Sequence, residues 1–152
     1  MSAVAARLRE LGLELPEVAK PVAAYVPAVR SGRYVHTSGQ LPFVDGRLPA
    51  TGKVGAEVSL ERAVELAELC ALNAIAALGT QVDLDDVVRI VKVVGFVASA
   101  PDFTAQPAVV NGASELLGRA FGEAGTHARS AVGVAVLPLD SPVEVELLAE
   151  IR

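Results

Sequence analysis

The chain has 152 residues, 52% hydrophobic and 20% charged, which excludes an intrinsically disordered protein and suits a single domain spanning 1–152. The 13 Lys and Arg against 18 Asp and Glu leave a formal net charge of −5. With no run of basic residues, this argues against a general nucleic-acid binder. The one cysteine, Cys70, excludes an intrachain disulfide, and every long apolar stretch carries charges or breakers, so a membrane span is not expected. The N-terminus lacks the long apolar run of a secretory signal, and the expectation is a soluble, cytoplasmic protein. Aromatics make up only 4% and Trp is absent, so the core is built from Ala, Val and Leu. So many small apolar residues in a short chain leave apolar surface to hide, and oligomerisation is one way to hide it.

Residues 2–12 read as a short amphipathic helix with Val4, Leu8 and Leu11 on one stripe and Gly12 as its stop. Segments 22–30 and 33–38 read as a hairpin joined by Ser31-Gly32. That register sets Arg30 opposite Arg33 and Tyr25 opposite Ser38, and gives Pro27 a non-hydrogen-bonded position. Residues 39–58 form a long, loop-rich connection of the kind that often carries function. Ser59 caps a helix over 59–78, and Gly79 ends it; its second half, CALNAIAAL, is nearly all apolar and should be buried. Residues 83–86 make a turn or a short helical step, and Val87–Val97 is a β-branched run suited to a central strand. A second helix spans 105–121, with Val109, Val110, Ala113, Leu116, Leu117, Ala120 and Phe121 at helical spacing. Strands at 129–137 and 142–151 close the chain across a Pro138–Ser141 turn. This order predicts an α/β fold: one mixed sheet with two main helices on one face, plus the short N-terminal helix.

Two residues stand out for chemistry. Arg129 opens its strand and offers a planar fork matched to a carboxylate or phosphate; a structural salt bridge is the equal alternative. Alternation puts Arg129, Ala131, Gly133 and Ala135 on one face, small enough for another subunit to approach. Ser130, Val132, Val134 and Val136 take the other face, expected to pack on the helices. In Val143-Glu144-Val145-Glu146 the valines should point into the core, and Glu144 is a candidate general base or water-orienting carboxylate. If the last two strands pair as a hairpin, Arg129 faces roughly residue 150, and Glu144 lies about 20 Å away along the ladder. A site using both would then be built between subunits. His36 and His127 are too few and too scattered for a metal site, and no metal is expected. Cys70 falls in the buried half of its helix and reads as inert core.

These residues carry a resemblance. AYVPAVRSGRYVHTSGQLP is similar to the N-terminal hairpin and Ser-Gly-Gln turn of the RidA (YjgF) family. The helix with Asn73-Ala74-Ile75 resembles that family's first helix, and PDFTAQPAVVNGASELLGRAF its second-helix region. HARSAVGVAVLPLDSPVEVELLAEI resembles its C-terminal signature. The likeness covers nearly everything after residue 20. It implies a chorismate-mutase-like domain assembling as a homotrimer with sites in intersubunit clefts. The implied activity is hydrolysis of reactive enamines and imines, of the 2-iminobutanoate or 2-iminopropanoate type, to keto acids and ammonia, with no cofactor. By motif, Arg129 would hold the substrate carboxylate and Glu144 would activate water. Tyr25, Ser38 and Gly39 would line the pocket, and Asn111 matches the family's Asn at the helix start. Ala131 stands where archetypal members carry a Cys or Thr, which implies a roomier, less polar pocket. His127-Ala128 replaces the usual Pro-Ala, and about four extra residues separate Asp102-Phe103 from Asn111. The N-terminal helix and a total length near 150 suggest a divergent subgroup. Two other readings stay open: a carboxylate-binding or regulatory trimer without turnover, and an endoribonuclease, a label some relatives carry. The missing basic stripe and His-based acid–base pair disfavour the last.

Overall fold

The computed structural model describes residues 1–18 and 24–152. The first two residues assigned to the opening strand, 22 and 23, lie outside the described residues. The elements are helix α1 (Ala3–Glu10), strands β1 (Ala28–Ser31) and β2 (Tyr34–Thr37), helix α2 (Leu60–Leu78), strand β3 (Val87–Ala98), helix α3 (Gln106–Phe121), and strands β4 (Ala128–Val134) and β5 (Val143–Ile151).

The strands form one mixed sheet in the order β1-β2-β5-β3-β4. Among these strands of the described residues, only β3 and β4 run parallel, with α3 as their crossover; the other strand pairs are antiparallel. Helices α2 and α3 pack on each other and cover one face of the sheet. That face is lined by the fully buried Val93, Val97, Val143, Val145 and Ala149. Ser59 caps α2 by accepting from the Arg62 amide, as its residue type predicts. Gly79 ends α2 in a right-handed conformation, φ −63°, so glycine's access to left-handed backbone is not what stops the helix there. Helix α1 docks through the buried Val4 and Leu8, while Leu11 stays largely exposed. Asp85, more than 80 residues away in sequence, accepts from the Ala3 and Val4 amides at 2.9 and 3.3 Å and so satisfies two orphan donors of that helix.

Three expectations are corrected. The hairpin turn is centred on Gly32 and Arg33, so Ser31 faces Tyr34 and Ala28 faces Thr37. A turn centred on Ser31-Gly32 would need positive φ at Ser31 as well; with Gly32 first, only the glycine takes it, at φ 59°. In this register Ser38 opposes Pro27, not Tyr25: the Ser38 amide donates to the Pro27 carbonyl. Pro27 therefore sits at a hydrogen-bonded position. The Ser38 carbonyl, denied a proline N–H, accepts from Gln40 Nε2 at 3.2 Å.

Second, β4 and β5 are not neighbours. Strand β3 lies between them, pairing through Val93 with Arg129 on one side and Leu147 on the other. A long apolar strand buried in the sheet needs hydrogen-bonding partners on both edges, and the chain from 135 to 142 carries it past the end of β3 to supply the second. Leu139 and Asp140, both at positive φ, make the reversal.

Third, the faces of β4 are the reverse of those expected. Val132 shares a row with Phe96 and Glu144 on the uncovered face and is 42% exposed, and Val136 is 69% exposed. Arg129, Ala131 and Gly133 point towards α3. The helix comes so close here that a Cβ on Gly95, in the same row as Ala131, would collide with Val110. The small residues of β4 admit a close neighbour, as their size suggests, but that neighbour is α3 of the same chain.

Candidate functional site

Two clusters gather the candidate residues, one on each face of the sheet. The first surrounds Arg129. Its side chain crosses to α3, where Nη1 donates to Asn111 Oδ1 at 2.7 Å and to Ser114 Oγ at 3.2 Å, and Nη2 reaches the Pro107 carbonyl at 3.4 Å. Both Nη1 hydrogens are thereby engaged. The Nε–H and one of the two Nη2 hydrogens have no partner among the described residues. No carboxylate lies within ion-pair distance of Arg129 among the described residues, so a structural salt bridge does not account for it. Asn111 touches Arg129 but sits in the second turn of α3, not at the helix start. Ser114 was not singled out in the sequence. The available signal was its spacing of three from Asn111, which puts both on one helix face. His127 joins the cluster through Ser114 Oγ, 2.9 Å from Nε2. A shallow groove of about 320 Å³ opens beside them, lined by Ser114, Gly118, Gly125, Thr126, His127 and Arg129. Ala131, one position further on the same strand face, packs against the core.

The second cluster surrounds Glu144 on the uncovered face. Gln40 and Val145 exchange both backbone hydrogen bonds, at 2.8 and 3.0 Å, and this bridge brings Gly39 against Glu144. A Cβ on Gly39 would lie 2.9 Å from the carboxyl carbon of Glu144, with one carboxyl oxygen closer still. Between the β2–β5 ladder and this bridge the 37–39 side carries one extra residue, and Thr37 Oγ1 fills the gap by accepting from the Leu147 amide at 3.1 Å. Ser38 Oγ donates to the Val26 carbonyl at 2.6 Å, which sets Tyr25, one residue back and 60% exposed, near the same edge. Burial pushes the Glu144 carboxyl above the usual glutamate range, and the neighbouring Glu146 carboxylate adds to the rise. Burial also raises the Cys70 thiol; its Sγ is fully enclosed, 3.6 Å from the Val143 carbonyl, which agrees with an inert core residue.

Arg129 and Glu144 do not meet within one chain. Arg129 shares a row with Val93 and Glu144 with Phe96, so they lie on opposite faces, two strands and three rows apart. Their Cα atoms are roughly 14 Å apart at ordinary sheet spacings. The uncovered face also carries Val29, Tyr34 and Val132, all more than 40% exposed, beside the half-buried Val94, Phe96 and Leu148. Among the described residues, no helix is long and apolar enough to cross a membrane.

A mixed five-stranded sheet with two helices on one face and an apolar opposite face defines a small domain of the chorismate-mutase-like kind. A family model described as "YjgF/chorismate_mutase-like, putative endoribonuclease" matches residues 5–151. Protein TCP17 of Trypanosoma cruzi is 48% identical over 98% of this chain and 94% of its own length. The crystal structure of Atu1372 from Agrobacterium tumefaciens, described as of unknown function, is 43% identical and superposes with a TM-score of 0.92, covering 99% of this chain and 93% of that one. E. coli TdcF, solved with bound serine, is 27% identical with a TM-score of 0.62 over 89% of this chain and 93% of its own. The chain belongs to the YjgF/RidA (RutC) family. Its build follows TCP17 and Atu1372 more closely than TdcF, which marks a divergent subgroup.

Proposed function

We propose that this protein is a homotrimeric imine deaminase, hydrolysing small 2-imino carboxylates to keto acids and ammonia at clefts between subunits. The observation that carries this reading is Arg129: a guanidinium held by Asn111, Ser114 and, through Nη2, the Pro107 carbonyl, whose Nε–H and one Nη2–H have no partner among the described residues. Two free guanidinium donors suit a carboxylate ligand. Glu144 supplies the second group. Its raised affinity for protons suits a carboxylate that takes a proton from water as the water attacks the imine carbon. The resulting carbinolamine then breaks its C–N bond, and the nitrogen leaves as ammonia once protonated. Because Arg129 and Glu144 lie on opposite sheet faces, a site using both takes Arg129 from one subunit and Glu144 from the next. The uncovered apolar face is suited to that contact. Tyr25, Ser38 and Gly39 lie on the Glu144 side and would line the cleft; Asn111 and Ala131 lie on the Arg129 side. Ala131 leaves room for a larger or less polar substrate side chain than a Cys or Thr would. The serine bound in TdcF, a small amino carboxylate, favours the same ligand class.

The test supplies freshly generated 2-aminoacrylate and 2-iminobutanoate from a dehydratase and measures keto-acid formation against a scavenger, with Arg129→Ala as control. Arg129-dependent acceleration is expected. A trimer that binds 2-oxobutanoate through Arg129 but accelerates neither reaction would transfer the reading to carboxylate binding without turnover, and a stable monomer would refute the cleft.

A further inference from the structure

We infer that His127 and Ser114 are positioning residues for Arg129, acting as one hydrogen-bonded chain that fixes which edge of the guanidinium faces a ligand. The inference rests on the carboxylate role proposed for Arg129, but its geometry stands without it. His127 Nδ1 lies 2.6 Å from the Gly125 carbonyl. A carbonyl only accepts, so Nδ1 carries the proton, and in the neutral ring Nε2 is left as an acceptor. The partner of Nε2 is Ser114 Oγ at 2.9 Å, so the hydroxyl donates its single hydrogen to the ring. That leaves only lone pairs on Ser114 to face Arg129, whose Nη1 donates at 3.2 Å. Every bond in the chain thereby has one direction: Arg129 to Ser114, Ser114 to His127, His127 to Gly125.

The anchor of the chain is rigid. Gly125 ends a tight 3-10 turn, Gly122–Gly125, that follows α3, and a Cβ at this position would collide with the Leu117 carbonyl. The residue must be glycine, and its carbonyl is fixed against the helix that also carries Ser114 and Asn111. Strand β4 begins at Ala128, so His127 joins that turn to the strand bearing Arg129. Without the ring, the Ser114 side chain would be free to change rotamer, moving its oxygen away from Arg129 to bond a helix carbonyl, as serines in helices do. Nη1 would then lose a directed acceptor, and the fork would sample other rotamers.

The experiment uses the assembled full-length protein and two readouts. Calorimetric titration with 2-oxobutanoate compares wild type, His127→Ala, Ser114→Ala and the double variant, alone and with Arg129→Ala. Each single change should raise Kd about fivefold, as for loss of one ordinary hydrogen bond. The double variant should do no worse than the weaker-binding single, since both cut the same chain. In turnover assays KM should rise while kcat holds. Nitrogen NMR of the imidazole at pH 8 should show His127 protonated on Nδ1, and the Arg129 Nε–H resonance should shift and broaden in His127→Ala. An Nε2-protonated ring, or an Arg129 resonance unchanged in His127→Ala, overturns the inference. If wild type binds no 2-oxobutanoate, the carboxylate reading fails, and the NMR readout alone decides the positioning chain.

Discussion

Gly39→Ala separates the position of the Glu144 carboxyl group from its mere presence. The new methyl would stand 2.9 Å from Glu144 Cδ and 3.2 Å from Cγ. Optimal carbon–carbon contact is about 3.5–4.0 Å. One carboxyl oxygen would lie closer still, so the carboxyl group must move by at least about 1 Å, which a turn of the flexible Glu144 side chain provides at about 0.5–1.5 kcal/mol. Folding should survive nearly intact. Catalysis should not, because a misplacement of about 1 Å lowers a rate roughly a hundredfold. The assay pairs urea unfolding with keto-acid formation from 2-iminobutanoate, for Gly39→Ala, Glu144→Gln and the double variant. A roughly hundredfold loss of kcat with a stability change near 1 kcal/mol is expected, and Gly39→Ala should add little to Glu144→Gln because both act through one group. Full activity in Gly39→Ala would refute the role given to Glu144. So would a loss that simply adds to that of Glu144→Gln.

Glu144→Gln also has a stability signature. The folded state raises this carboxyl group's pKa, so ionised Glu144 destabilises the fold at neutral pH, and the penalty fades as pH falls through the folded value towards the unfolded one, about 4.3. Urea midpoints should therefore favour Glu144→Gln at pH 7 and converge with wild type near pH 4; a gap that widens on acidification would reverse the assignment. Asp85→Ala removes the acceptor of the Ala3 and Val4 amides and should cost about 1 kcal/mol, lowering Tm by about 2–4 °C. Hydrogen exchange should quicken in α1 alone, and unchanged protection there would show that water replaces Asp85. Cys70 should react with a thiol reagent only after unfolding, and rapid labelling of the native protein would contradict its burial.

Helix and strand identities were legible because they depend on short-range regularities. The capping Ser59, the 3.6-residue spacing of α3, the β-branched run of β3 and the alternation of β5 each dictate a local structure whatever lies around it. Glu144's orientation followed too, because Val143 and Val145 have nowhere to go but the core. The hairpin was legible in kind but slipped by two in register, since the choice between Ser31-Gly32 and Gly32-Arg33 turns on backbone dihedrals. A slip of two preserves each residue's face, but it separates Tyr25 from Ser38.

Tertiary structure decided the rest, because neighbours in a sheet need not be neighbours in sequence. The sequence alone determined the element order, the mixed α/β architecture and the candidates Arg129 and Glu144. Only the fold set β3 between β4 and β5, which put those two residues on opposite faces rather than along one ladder. Only the fold brought α3 down onto the small residues of β4, turning Arg129 towards Asn111 and Ser114 and leaving Val132 in the open. Alternation along a strand says which residues share a face. Which face the helix covers depends on how closely that helix can approach, and the pairing of Gly95 with Val110 settles that at long range.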